Sequence, residues 1–466
     1  MKEKMFFRMV LIAGAATMLA ACTSESENGP SANISYESIA ATQQVPVTFG
    51  TYMGETAITR AGTAGNIADT QDLAANKGGF GVFAYYTNAA YNSSTAPDFM
   101  YNQLVSGTND PSPTWSYSPI KYWPNDFATG AVDVQSPAAT GSKLSNLSFF
   151  AYAPYVPVTL GTGVPSSGST TVGITQLTLN TATSDPKVTY VIATTPDASV
   201  DLLWGVSGTS TASVLGGGAQ SSSTGLPFLN QKKQETDGNI SFLFKHALAR
   251  LGLTVRAAKD QAAVGTADTY ELWEDGVAAH KTKIFVNSVT ITAPFNISGD
   301  LNLNNTSANV ALWENRNADS DPGTPGTQPT TLTVNGDNIN SVIKYVTSPS
   351  TVLGSQPAGV LAKSSTPLIK NGVNFHYFML IPTDFTSTNI TITIDYTVRT
   401  LDANLTAGES IVNNVITKVI SGINFENNND YTLNLALGMT SVKVTATVDG
   451  WGDGGSTPVN LPLNVE

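Results

Sequence analysis

Ile390-Thr391-Ile392-Thr393-Ile394-Asp395-Tyr396 sets an apolar side chain at every second position, with threonine or aspartate between. Successive side chains of an extended chain point to opposite sides, so this alternation predicts a strand with one buried and one solvated face. The same period runs through Val442-Lys443-Val444-Thr445-Ala446-Thr447-Val448 and Phe285-Val286-Asn287-Ser288-Val289-Thr290-Ile291. Turn-forming clusters separate such runs: Gly216-Gly217-Gly218-Ala219, Asp319-Ser320-Asp321-Pro322-Gly323 and Asn427-Asn428-Asn429-Asp430. Short strands spaced by such loops predict an all-β chain built as sandwiches. Helical patterns are few, with candidates at 68–75 and 245–251, and no fixed-period repeat is present. The polar run from Gln231 to Gly238 marks the expected boundary between two tandem β-sandwich domains, 61–237 and 238–466.

The chain has 466 residues, of which 41% are hydrophobic and 12% charged, enough length for sizeable cores without disulfides. Its formal charge is −12, which speaks against nucleic acid as a partner. The amino terminus reads as an export signal over 1–21. Lys2, Lys4 and Arg8 form a basic start, Met9 to Ala20 an apolar run, and Leu19-Ala20-Ala21-Cys22 resembles a lipobox. Cys22 is the single cysteine, so an exported chain has no disulfide use for it, and the pattern assigns it to lipidation and an outer-membrane anchor. Loss of 1–21 removes Lys2, Lys4, Arg8 and Glu3, a change of −2 that leaves −14. Residues 22–43, beginning Cys22-Thr23-Ser24-Glu25-Ser26-Glu27, read as a flexible acidic tether. No later stretch is apolar for long enough to span a bilayer.

Residues 44–60 read as a removable segment. Val45, Val47 and Phe49 of Gln44-Val45-Pro46-Val47-Thr48-Phe49-Gly50 fall on one face of a strand. Arg60, followed by Ala61, is the only basic residue between Thr23 and Asn76, and it sits among small residues where proteolysis is easiest. The far end mirrors this strand. Val459, Leu461, Leu463 and Val465 alternate strictly behind the turn-rich Gly450-Trp451-Gly452-Asp453-Gly454-Gly455. Leu461-Pro462-Leu463-Asn464-Val465 repeats the pattern of Val45-Pro46-Val47-Thr48-Phe49: apolar, proline, apolar, small polar, apolar. Were the first strand cut away, the last strand of another copy could take its place, with backbone bonds for affinity and alternate side chains for register. That contact is head-to-tail and open, and so builds a filament. A proline in each segment suits edge pairing better than central insertion.

Several segments together resemble the fimbrillins, the FimA-like and Mfa-like type V pilins of Bacteroidetes. They are Val45 to Phe49 with Thr59-Arg60-Ala61, Tyr122-Trp123-Pro124, Leu147 to Tyr155, Asp201-Leu202-Leu203-Trp204-Gly205, Phe242 to Leu251, Tyr431 to Leu435 and Val448-Asp449-Gly450-Trp451. The resemblance implies two transthyretin-like β-sandwich domains, lipoprotein export, cleavage between Arg60 and Ala61 by an arginine-specific protease, and polymerisation by donor-strand exchange. Val45, Val47 and Phe49 would be the displaced strand and Val459, Leu461, Leu463 and Val465 the donor, although 442–448 is a second donor candidate. The partners implied are other fimbrial subunits, tip and anchor proteins included. Long Ser/Gly/Thr loops at 157–171 and 205–225 leave a shaft or tip position open.

A glycan-binding surface lipoprotein is the competing expectation, with Trp115, Tyr117, Tyr122, Trp123, Phe150 and Tyr152 as a stacking platform. The alternation of Phe150 and Tyr152 reads instead as sandwich core. Enzyme readings lack their motifs. His246, His280 and His376 show no paired metal spacing, Gly205-Val206-Ser207-Gly208 misses the nucleophile elbow, and the glycine runs lack the context of a phosphate loop. His246 is expected to be a buried histidine satisfied by backbone. No cofactor or catalytic residue is implied.

Overall fold

A computed structural model of the chain describes residues 45–53, 66–87, 90–123, 146–166, 171–208, 224–231, 239–257, 282–316, 329–335, 366–367, 370–371, 374–375, 377–402, 404–437, 442–451, 459–461 and 464–465. Residues 44–466 form one compact unit. The regular secondary structure of the described part is almost wholly strand, so the all-β sandwich expected from the alternating runs is the fold observed.

The first sheet has eight strands. In spatial order Thr48–Tyr52, Asn239–His246, Leu203–Ser207, Asn146–Ala153, Phe80–Thr87, Met100–Gly107 and Trp115–Ser116 follow one another, with Phe228–Gln231 also against Asn146–Ala153. Its pleat sends alternate residues into two separate cores. Phe83, Tyr85, Phe150, Tyr152, Trp204 and Val206 enter a large core shared with the second half of the chain. Phe80, Val82, Phe149, Ala151, Phe242 and Phe244 enter a smaller one that includes Val47 and Phe49. Both faces being buried explains why Leu147–Ala153 reads as a nearly continuous apolar run rather than an alternation.

A four-stranded sheet unites the halves of the sequence: Gly173–Leu177 and Lys187–Val191 are joined to Ser298–Asn302 and Leu312–Glu314, with Leu301 opposite Val188. Two further sheets make the later sandwich. One is ordered Thr366–Pro367, Ala249–Ala257, Asn429–Leu437, Val442–Gly450 and Val459–Leu461; the other Thr330–Asn335, Thr282–Ala293, Ile390–Leu401, Glu409–Ser421 and Asn464–Val465. Ile390, Ile392, Ile394 and Tyr396 are buried, as their alternation predicts.

The helix at Thr70–Ala75 forms where the 68–75 pattern placed it, with the Asp69 side chain accepting the Asp72 N–H at 2.7 Å as its cap. The 245–251 candidate is not a helix. Asn239–His246 and Ala249–Ala257 are both strands, and buried Ala247 and Leu248 carry the chain from the first sheet into a later one. Long-range pairing overrides the local pattern there. Phe228–Gln231 and Asn239–His246, which flank 232–238, both lie in the first sheet, so the chain changes sheet at Ala247 and Leu248.

Candidate functional site

Val45 to Tyr52 forms the outermost strand of the first sheet, and it changes partner halfway. Val47 N–H donates to Lys121 O and Trp123 N–H to Val45 O, both at 2.9 Å, and Pro46 bridges Tyr122. From Thr48 on, the strand runs parallel to Asn239–Leu243, with Phe49 opposite Ile240 and Gly50 opposite Ser241. A side chain at Gly50 would bring its Cβ to 2.8 Å from Ser241 Oγ, which explains the glycine at this close approach.

The apolar row expected on one face is present. Val47 is fully buried, Phe49 is 6% exposed, and Val45 packs at the rim of the same core, while Pro46 and Thr48 are exposed. Phe49 is enclosed by aromatic rings: Tyr117 at 5.3 Å, Phe149 at 6.0 Å edge-on, Phe242 at 6.1 Å stacked and Phe80 at 6.3 Å edge-on. The Tyr117 hydroxyl donates to Val47 O at 2.8 Å and accepts from Lys121 N–H at 3.1 Å, and burial pushes its pKa up. Removing 45–53 would open an aromatic-lined groove bounded by 239–243 on one side and 121–123 on the other. Burial of a valine and a phenylalanine stabilises this docking by roughly 1.5 to 3 kcal/mol each.

The tail lies against its own chain. Val459–Leu461 runs antiparallel to Val442–Gly450, with Val459 opposite Val448 and Leu461 opposite Ala446, and Asn464–Val465 pairs with Ile420 and Ser421 at the edge of the other sheet. Leu461 packs on the core, but Val459 is 62% exposed. Val459 thus finds little cover in cis, and three- and two-residue pairings are all that hold the tail among the described residues. The second donor candidate differs. Val442–Gly450 is flanked by strands on both sides, pairs with Asn429–Leu437 over nine residues, and buries Val442, Val444 and Ala446. Taking it out would dismantle a core. Cys22, Arg60, Ala61, Leu463 and the side chain of Val465 lie outside the described residues, as do His280 and His376.

A buried cluster ties these two ends together. Asp201, fully buried, accepts Ile67 N–H at 3.0 Å, Leu202 N–H at 2.8 Å and contacts His246 Nδ1 at 2.9 Å. His246 stacks on Trp451 with centroids 3.7 Å apart and planes 8° from parallel. Arg250 lies 4.8 Å from the Trp451 ring centroid and 4.4 Å from that of Tyr377, bonds Asp430 at 2.6 Å and donates to Asn66 Oδ1 at 3.3 Å. Burial opposes the Arg250 charge, but the charge and hydrogen bond of Asp430, with Tyr377 and Asp201 behind them, hold its pKa above the ordinary value. His246 is thus satisfied by a carboxylate and a tryptophan face, not by backbone as the sequence suggested. Asn66 and Ile67, the first described residues after Met53, and Trp451, the last before Val459, meet in this one cluster.

Four of the six aromatic residues considered as a platform are core. Phe150 and Tyr152 are fully buried, Trp123 is 2% exposed, Tyr117 is buried, and Trp115 packs edge-on to Phe80; of the six, Tyr122 is the one that is exposed. Phe150 and Tyr152 also face a different core from Tyr117 and Trp123, so they share no surface. Among the described residues no group of His, Cys, Asp or Glu is placed to hold a metal ion.

No family model matches the chain, and no curated protein matches it at a significant level. Solved structures do. A fimbrial protein from Bacteroides vulgatus ATCC 8482 aligns over 87% of this chain and 99% of its own, with 21% identity and a TM-score of 0.55. A protein provisionally classed as a cell adhesion protein, from Bacteroides uniformis ATCC 8492, aligns over 88% and 98% at 13% identity and TM-score 0.37. A fimbrial assembly protein from Parabacteroides distasonis ATCC 8503 aligns over 91% and 99% at 8% identity and TM-score 0.32. The first is close enough to show a shared fold.

Proposed function

We propose that this chain is a fimbrial subunit of the fimbrillin type: exported as a lipoprotein anchored through Cys22, cut between Arg60 and Ala61 by an arginine-specific protease, and polymerised at the cell surface by donor-strand exchange. The observation that carries the reading is the placement of Val47 and Phe49. They plug an aromatic groove at a sheet edge, on a strand that precedes the Arg60-Ala61 motif in the sequence. An edge strand that fills a groove and precedes a cleavage motif is a removable plug, and while it stays in place the edge it covers cannot recruit another chain.

The tail supplies the matching part. In the donor register, Leu461, Leu463 and Val465 take the places of Val45, Val47 and Phe49, and Pro462 falls where Pro46 is exposed and needs no donor. Backbone bonds would hold the tail in the groove of another copy, and its alternate side chains would set the register. The anchor leaves with the plug, so assembly and release from the membrane are one event. The fold of the Bacteroides vulgatus fimbrial protein agrees with this reading.

N-terminal sequencing of the material shed from cells tests it. Ala61 as the first residue is the expected result. A blocked, lipidated Cys22 on every molecule would overturn the activation step and favour a surface lipoprotein or an anchor subunit that keeps its lipid.

A further inference from the structure

The strand Glu409–Ser421 is, at 13 residues, the longest of its sheet, and among the described residues its outer edge is nearly bare. Ile390–Leu401 pairs with it along one side, from Leu401 opposite Glu409 to Ile390 opposite Ile420. On the other side only Ile420 and Ser421 are paired, by Val465 and Asn464, among the described residues. The rest of the edge presents apolar side chains to solvent: Ile411 is 46% exposed, Val412 48% and Val415 68%. Folded proteins blunt such edges with charge, proline or a bulge, because an open row of backbone donors and acceptors pairs with any strand that fits it. Here Ser410 to Thr417 contains none of these.

We infer that this edge is an interface with a second copy of the same chain, the two Glu409–Thr417 segments pairing antiparallel about a two-fold axis through Asn413. The strand is complementary to itself in that register. Ile411 stands opposite Val415 on each side of the axis, joining two of the most exposed apolar residues of the strand, Asn413 stands opposite Asn413, and Glu409 stands opposite Thr417. Cross-strand pairs of branched apolar residues are among the stabilising ones. Reversal also brings the Glu409 end of each strand beside the Lys418 end of the other, so opposite charges meet at both limits. The uncharged centre lets two copies approach although each carries −12. Ile420 and Ser421 stay outside the new pairing, which leaves the tail undisturbed. An isologous contact of this kind closes on itself and stops at two copies, whereas the head-to-tail exchange proposed above does not close. The two contacts therefore read out separately.

Disulfide trapping in the full chain carrying C22S tests the axis. In N413C the two thiols face each other across the pair, while in T417C, on the same face of the same strand, they stand about 27 Å apart at about 3.4 Å per residue, beyond disulfide reach. Under mild oxidation N413C is expected to form a covalent dimer many times faster than T417C. Sedimentation of the chain without added cysteines should show a concentration-dependent dimer that V415K abolishes without lowering the melting temperature. Equal cross-linking by N413C and T417C, or a monomer at every concentration, would overturn the inference.

Discussion

The ring of Phe49 stacks on that of Phe242 at 6.1 Å with planes 16° apart, and through this contact the edge strand is held to the strand that would receive a replacement. Truncating a buried phenylalanine costs about 3 to 5 kcal/mol through lost transfer energy and the cavity left behind. F49A should therefore loosen the plug in the uncut precursor. The expected outcome is a lower melting temperature and polymer formation without cleavage, read by sedimentation of the precursor; an unchanged melting temperature would mean that the groove does not depend on Phe49.

R60A should block the cut and leave the groove filled. Membrane-bound monomers and no fibres are expected by immunoblot and negative-stain imaging of whole cells. Fibres of normal length from this variant would show that assembly does not need the cut.

Deletion of residues 458–466 should leave a folded, processed subunit that cannot extend. Among the described residues the tail is paired only through Val459–Leu461 and Asn464–Val465, so circular dichroism and melting should change little. In the donor register Val465 enters the space of Phe49 and underfills it. V465F should then make fibres more resistant to dissociation by heat or detergent, while leaving the monomer unaltered.

The Asp430–Arg250 pair is buried, with both side chains about 5% exposed, so removing the anion strands a cation under Trp451 and Tyr377. Breaking a buried pair from one side costs about 3 to 5 kcal/mol. D430A is expected to lose stability on that order in denaturant titration, and the double variant D430L/R250M to recover much of it. Because Asn66 and Trp451 both meet this cluster, D430A should also loosen the roots of plug and tail, seen as faster amide exchange at Ile67 and Trp451.

Burial raises the pKa of Tyr85, Tyr91, Tyr152 and Tyr190 above the ordinary value of 10.0, with Asp185 adding to the effect at Tyr85 and Tyr91. A raised folded-state pKa means that the fold prefers the protonated phenol. Its contribution to stability is complete below pH 10.0 and is lost progressively as pH rises above it. Phenolate absorbance should stay below that expected for sixteen free tyrosines until the chain unfolds in alkali, then rise with loss of circular dichroism.

Much of this fold is legible in the sequence because threonine-spaced isoleucine and valine runs, such as Ile390 to Tyr396, have one face in a core and one in water. The period fails where both faces are buried, as in Leu147 to Ala153. It also misleads between Lys245 and Leu251, where an apparent helical face is two strands joined by buried Ala247 and Leu248. That Val45, Val47 and Phe49 share one inward face was readable from alternation alone. The cluster of Asp201, His246, Arg250, Asp430 and Trp451 was not, because its members are separated by up to 250 positions and no spacing rule links them. The signal lay in the segments that resemble fimbrillins: Asp201 to Gly205, Phe242 to Leu251 and Val448 to Trp451 converge on this one buried site.

Polymerisation by donor-strand exchange requires the tail of one molecule to occupy the groove vacated by Val45 to Tyr52 in another. Phe49 lies opposite Ile240, so Val465 in its place would lie there too. With cysteines at both positions (I240C and V465C), oxidised shed material is predicted to run on a denaturing gel as a ladder of covalent multimers that collapses on reduction. A disulfide confined to single chains, or fibres in which residues 45–52 are still present, would contradict it.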